Sequence, residues 1–261
     1  MELNLYQIDA FTDTPFKGNP AAVIPLETWL PDNVMQSIAE ENNLSETAFF
    51  VPKGNGFHLR WFTPKTEVDL CGHATLAAAY VLFNILGYDQ ESIEFETKSG
   101  VLSVLNKDDW LAMDLPTQTP APCNVPYEIV RAFDRAPIEC FRSEDYIVVF
   151  ETECDILSIK PDLAYLRKLD LRGVIITAKS KQYDFVSRFF APKYGIDEDP
   201  VTGSAHTQLV PYWAKKLDKT KMRAKQVSSR GGELACELCD NRVLISGKAV
   251  KFLEGRIELK I

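Results

Sequence analysis

Hydrophobic and polar positions alternate along most of this chain, and two long apolar blocks interrupt the alternation. The first follows Gly72-His73 and holds Ala74, Leu76, Ala77, Ala78, Ala79, Tyr80, Val81, Leu82, Phe83, Ile85 and Leu86. It leaves almost no polar face, so it predicts a helix buried on all sides, with Gly87 as its stop. The second runs from Ser204 to about Leu217 and is apolar at Ala205, Leu209, Val210, Tyr212, Trp213 and Ala214. Pro211 within it is expected to kink or interrupt the helix. Alternating stretches predict strands over 3–11, 21–24, 44–51, 93–96, 100–105 and 110–114, then over 147–150, 174–178 and 185–190. Hairpin strands are expected on either side of Asp240-Asn241, and a final strand over 256–261. Val34, Met35, Ile38 and Ala39 recur at helical spacing behind Asp32, a candidate cap, and a further helix is expected over 161–169.

A repeat underlies this order. Arg60, Pro64 and Lys65 match Arg188, Pro192 and Lys193 at a shift of 128, and Gly72-His73-Ala74 matches Gly203-Ser204-Ala205 at 131. Both copies read as strand, loop, glycine and buried helix, which predicts a duplicated fold. The proline-rich stretch 116–122 suggests a boundary between lobes 1–118 and 119–261, the last strand being a candidate to return to the first lobe. A helix buried among strands needs a sheet curled around it. The expected class is therefore α+β, two pseudo-symmetric lobes, each a mostly antiparallel sheet around a central buried helix.

Composition narrows the partners. The 261 residues carry 29 basic and 37 acidic side chains, a net charge of −8, with no basic run. Nucleic acid and anionic membrane are poor partners for such a chain. The amino terminus is a strand pattern without a signal peptide's basic and apolar regions, and no apolar run reaches the ~18 residues of a membrane helix. Six scattered cysteines suit free thiols in a reducing cytoplasm. Cys236 and Cys239 are three apart on an alternating run, so their thiols should face opposite ways, and no metal site is expected.

The chemistry gathers at the two helix starts. Each presents backbone N–H groups and a positive dipole end, suited to a carboxylate or phosphate. If both open into one cleft, Gly72, His73, Gly203 and Ser204 would grip a small anion, with Asp199 and Thr202 close by. Glu46 shares a strand face with Ala48 and Phe50, where an apolar setting should raise its pKa into a range useful for proton transfer. The matching place in the second copy, 171–176, has no acid. Cys71, next to a helix start, is a candidate thiol of lowered pKa. Its counterpart Thr202 leaves a two-thiol mechanism half-furnished. His58 and His206 are expected to be surface or packing residues.

Taken together, Asp9-Ala10-Phe11-Thr12 with Gly18-Asn19-Pro20, Asn43-Leu44-Ser45-Glu46-Thr47, Phe62-Thr63-Pro64 with Leu70-Cys71-Gly72-His73-Ala74, and the run from Glu198 through Asp199 to Ala205 form a pattern over essentially the whole chain. It resembles the PhzF family of phenazine biosynthesis-like proteins, which shares the two-lobed diaminopimelate epimerase fold. The resemblance implies a cofactor-free isomerase and a homodimer. In the phenazine enzyme a glutamate matching Glu46 takes a proton from one ring carbon of dihydro-hydroxyanthranilate and returns it to another. Residues matching His73, Asp199 and Ser204 hold the substrate or assist the transfer, and Asn19, Gly72, Thr202 and Gly203 are the expected substrate contacts. Cys71 departs from that enzyme's alanine and stands where the epimerases carry their first catalytic cysteine. Two alternatives compete. One is an amino-acid racemase or epimerase using Cys71, and the other is a non-catalytic binding or adaptor protein of the same fold.

Overall fold

The computed structural model describes residues 1–260 and divides into two compact units. The first comprises Met1–Asp114 and the C-terminal stretch from Ser246, the second Leu115–Ile245. In the first, β1 (Glu2–Ala10), β2 (Asn19–Pro25), α1 (Asp32–Asn42), β3 (Glu46–Lys53), β4 (Gly56–Phe62), β5 (Glu67–Val68) and α2 (Gly72–Tyr80) precede β6 (Ser92–Thr97), β7 (Gly100–Lys107) and β8 (Trp110–Pro116). Next come β9 (Ala121–Pro122), α3 (Tyr127–Ala132), β10 (Glu139–Arg142), β11 (Tyr146–Val149), α4 (Glu153–Ser158), α5 (Leu163–Leu166) and β12 (Val174–Lys179). They are followed by β13 (Phe185–Ala191), β14 (Ile196–Asp199), α6 (Gly203–Leu217), β15 (Lys221–Gln226), β16 (Gly232–Cys239) and β17 (Arg242–Gly247). The closing strand, β18 (Ala249–Glu258), pairs antiparallel with β1. It starts earlier than the expected 256, and Ile261 lies outside the described residues.

The duplication shows in the hydrogen-bonded order. In the first unit β1-β2-β3-β4-β6-β7 are neighbours, parallel only at β2–β3 and β4–β6. In the second, β10-β11-β12-β13-β15-β16 repeat that order, parallel only at β11–β12 and β13–β15. The repeated arginines explain themselves in the same way. Arg60 forms a two-pronged pair with Glu67 and lies over the Phe62 ring at 5.1 Å, while Arg188 pairs likewise with Glu198 and lies over Phe190 at 5.0 Å. Each pair braces the loop ahead of its buried helix. The second loop is longer because a 3₁₀ turn, Pro192–Tyr194, and the left-handed Gly195 are set into it.

α2 is enclosed as its composition demands. Every residue from His73 to Ala79 is buried, and the helix packs on β1, β2, β3 and β18. The one polar residue in its middle, Thr75, donates its hydroxyl to the Cys71 carbonyl at 2.6 Å. A π-helical turn, Val81–Ile85, carries the chain on to Gly87 at φ +71°.

Three local expectations need correction. Pro211 does not break α6, which runs unbroken through it. The carbonyl its missing N–H strands belongs to Thr207, and the backbone N–H of Gln118 takes that carbonyl at 3.1 Å. Asp32 does not cap α1. It stands in the first turn behind Pro31, and its carboxylate pairs with Arg60 instead. The helix expected over 161–169 is the single turn of α5, while α3 and α4 were not anticipated.

The register also accounts for the lone acid. Thr47 pairs with Phe62 and Val174 with Phe190, so the repeat sets Gly173 where the first unit has Glu46. A Cβ on Gly173 would lie 2.6 Å from Cζ of Phe189 and 2.8 Å from the Phe190 carbonyl oxygen. The second unit therefore has no room for an acid there. Gly173→Ala is expected to cost about 1–3 kcal/mol of stability through overpacking, measured by chemical denaturation.

Candidate active site

In the first unit the start of β3 and the start of α2 bring two expected residues together. Oε2 of Glu46 lies 3.1 Å from Nε2 of His73. Both side chains are buried, with 9% of Glu46 and 6% of His73 exposed. The two atoms are close but not aligned as a hydrogen bond, so each keeps unspent capacity to engage a further group. On the other edge of the ring, Nδ1 meets Asn19 Nδ2 at 3.2 Å and Cys71 Sγ at 3.6 Å. Asn19, on β2, has none of its surface exposed and stands behind His73.

Charge at this cluster is settled by competing effects. Burial pushes the His73 imidazole down, but the adjacent Cys71 and Glu46 outweigh it and hold the ring well above its ordinary value. We attribute the rise to the Glu46 carboxylate, because the Cys71 thiol is neutral near pH 7. Burial, reinforced by the Glu46 charge, pushes that thiol up to about 11. The expectation of a thiol activated by the helix start is thereby corrected: desolvation and a nearby anion exceed the dipole's pull. Donor atoms of Glu46, Cys71 and His73 lie within 4.8 Å of one another.

In the second unit Asp199, Thr202 and Ser204 are gathered at the start of α6. The Thr202 hydroxyl donates to Oδ2 of Asp199 at 2.5 Å. Gln226, fully buried, accepts the Thr202 N–H at 2.8 Å and donates to the Asp199 carbonyl at 2.8 Å. Thr202, engaged in this way, does not cap α6, and Cys71 does not cap α2. Both helix starts thus offer first-turn N–H groups free of a side-chain cap.

Behind Ser204 lies a network that sequence reasoning missed. Arg172 donates to Ser204 Oγ at 3.1 Å and grips the fully buried Asp145 with two bonds of 3.0 and 2.6 Å. Gln208, one turn along α6 from Ser204, donates to Asp145 at 2.7 Å and accepts its backbone N–H at 3.1 Å. Ser204, used as an acceptor by Arg172, keeps its own hydrogen available to donate. The network's trace in the sequence is Arg172, an arginine inside the otherwise apolar stretch 171–176.

His206 is fully buried, its Nδ1 bonded to the Thr202 carbonyl at 2.9 Å, and burial pushes it down to about 4. His58 packs edge-on against Trp29. Cys236 is buried and Cys239 exposed, as alternation on β16 requires.

Known proteins resemble this chain along nearly its whole length. The family model described as phenazine biosynthesis-like protein, PhzC-PhzF, matches residues 8–255. An uncharacterized isomerase of Pseudomonas aeruginosa is 52% identical over 259 residues, covering 99% of this chain and 100% of that protein. A mouse phenazine biosynthesis-like domain-containing protein is 41% identical, covering 98% of this chain and 99% of the relative. Among solved structures, a PhzF-family protein of Enterococcus faecalis superposes with a TM-score of 0.97 at 48% identity, over 99% of this chain and 100% of that one. A hydroxyproline epimerase from Agrobacterium vitis shares the fold alone, with a TM-score of 0.61 at 10% identity over 98% of this chain and 91% of the other. The chain belongs to the phenazine biosynthesis-like (PhzF) family, and it is an isomerase. Its fold is the α+β, epimerase-like one.

Two outcomes are expected. Arg172→Ala strips the buried Asp145 of its ion-pair partner and should cost about 3–5 kcal/mol in denaturant unfolding. For His73 the folded pKa is raised, so its stabilising contribution is full below the ordinary value of 6.5 and fades as pH rises through the folded value. The stability gap between the wild type and His73→Gln should therefore narrow with rising pH, measured by urea titration across that range.

Proposed function

We propose that the chain is a cofactor-independent isomerase that moves a proton within a small carboxylate-bearing substrate. Glu46 acts first as base and then as acid. The observation that carries this reading is the buried Glu46–His73 contact, close at 3.1 Å yet with both facing atoms unspent. A carboxylate in that setting can accept a carbon-bound proton without competing water. The charged His73 ring can meet the negative charge that develops on the substrate.

In the second unit Ser204 and the uncapped N–H groups at Gly203 are of the kind that binds a carboxylate, and Asp199 is steadied by Thr202 and Gln226. Gly72 lends the equivalent N–H groups at α2. Dihydro-hydroxyanthranilate, whose isomerisation the family resemblance suggests, is the first substrate to test. A neutral Cys71 thiol and a Thr202 hydroxyl already given to Asp199 provide no matched pair of bases, which weighs against an amino-acid racemase. The reading extends to a cytoplasmic homodimer, with the free thiols suiting a reducing compartment.

Wild type and Glu46→Gln should be incubated in deuterated water with dihydro-hydroxyanthranilate and a panel of cyclic and amino-acid carboxylates. Isomerisation or deuterium uptake is expected from the wild type, followed by NMR. A loss of roughly 10²-fold or more is expected in the variant, with circular dichroism confirming that it folds. Full turnover by folded Glu46→Gln would refute the assignment.

A further inference from the structure

β9 is weakly attached to the sheet of the second unit. It has two residues, Ala121 and Pro122, both exposed, and the proline has no N–H to give to β10. One residue further on, the Cys123 N–H donates to the Cys140 carbonyl at 3.0 Å. Pro122 faces Phe141 and Ala121 faces Arg142, so Cys123 and Cys140 form the next opposed pair in that register. Opposed residues of antiparallel strands hold their side chains on one face, with Cα atoms ~4.5–5.5 Å apart, a span that a disulfide bridges. The two sulfurs meet at 3.6 Å, the Cys123 thiol donating to that of Cys140. We infer that Cys123 and Cys140 are a reversible disulfide site, closed by exchange with a low-molecular-weight disulfide of the glutathione class, which fastens β9 to β10.

The two thiols differ in access, and that gives each its part. Cys140 belongs to the core cluster of the second unit, while Cys123, half-buried, packs against that cluster from outside. Burial, with the Cys123 thiol beside it, keeps Cys140 protonated. Cys123 is therefore the sulfur that meets the reagent. Its thiolate attacks one sulfur of glutathione disulfide, the S–S bond breaks, and one glutathione leaves while the other stays joined to Cys123. The Cys140 sulfur then attacks that of Cys123 and expels the second glutathione. Two protein thiols are oxidised, one glutathione disulfide is reduced, and the two thiol protons end on the two glutathiones. Cys140 forms little thiolate, but its closeness gives it an effective concentration that free glutathione cannot match.

The inference is independent of the proposed proton shift, and its test reads the sulfurs directly. Wild-type protein is equilibrated with glutathione and glutathione disulfide in graded ratios, quenched with acid, alkylated, digested without reduction and mapped by mass spectrometry. The expected product joins the Cys123 and Cys140 peptides, two hydrogens lighter than their sum, and is reversed by dithiothreitol. The remaining cysteines are internal controls. Exposed Cys154 and Cys239 should stop at the glutathione adduct, and buried Cys71 and Cys236 should stay free. The link joins residues 17 positions apart, so it should raise the urea midpoint by roughly 1 M. Cys123→Ser in the same buffers should show no such rise. Should that variant not fold, the double variant Cys154→Ser/Cys239→Ser, left with the inner link as its one oxidation product, gives the shift alone.

A Cys123 that stops at the glutathione adduct, as the exposed cysteines do, would overturn the inference. So would a pair that stays reduced in glutathione disulfide alone, or a link that forms without moving the midpoint.

Discussion

The buried contact between Glu46 and His73 is the constraint on which the first unit turns. α2 has no polar face, so it must be enclosed, and enclosing it draws its first residues inside with it. A histidine carried inward in this way is costly if it is charged and alone. Glu46 at the start of β3 supplies the opposing charge, and Asn19 and Cys71 occupy the far edge of the ring. The same apolar packing that hides the helix thus leaves an acid and an imidazole side by side in a setting poor in water.

Duplication followed by divergence at a few positions gives the two units different chemistry. Where one has Glu46 the other has Gly173, which Phe189 and Phe190 leave no space to replace. Where one has His73 facing Glu46, the other has Ser204, backed by Arg172 and Asp145. Cys71 is matched by Thr202, whose hydroxyl is committed to Asp199. The shared framework, from strand order to the Arg60–Glu67 and Arg188–Glu198 braces, is untouched by these changes. The first unit pairs a buried acid with an imidazole, and the second sets a serine and an arginine against a buried carboxylate.

Much of the architecture was legible because burial imposes a composition. A helix without a polar face, copied once, is visible in the sequence as a pattern and implies its surrounding sheet. Glu46 could be singled out by the same logic, as an acid on an apolar strand face without a counterpart. What stayed hidden depends on distant partners. The continuity of α6 through Pro211 requires the N–H of Gln118, which no local pattern announces. Arg172 gains meaning only from Asp145 and Gln208, residues that lie far from it in the chain. The neutrality of the Cys71 thiol follows from enclosure and from the Glu46 charge, neither of which its neighbours in sequence reveal. Short helices such as α3 and α4 carry too few turns to show a period.

The central claim is that one buried carboxyl both takes the proton and gives it back. The most direct test is a single turnover, in ordinary water, of dihydro-hydroxyanthranilate carrying deuterium on the carbon that loses its hydrogen. With only 9% of Glu46 exposed, the account predicts that a measurable share of the label reappears on the accepting carbon. Complete replacement of the label by solvent hydrogen in every product molecule would contradict a carboxyl shielded from water while it holds the proton.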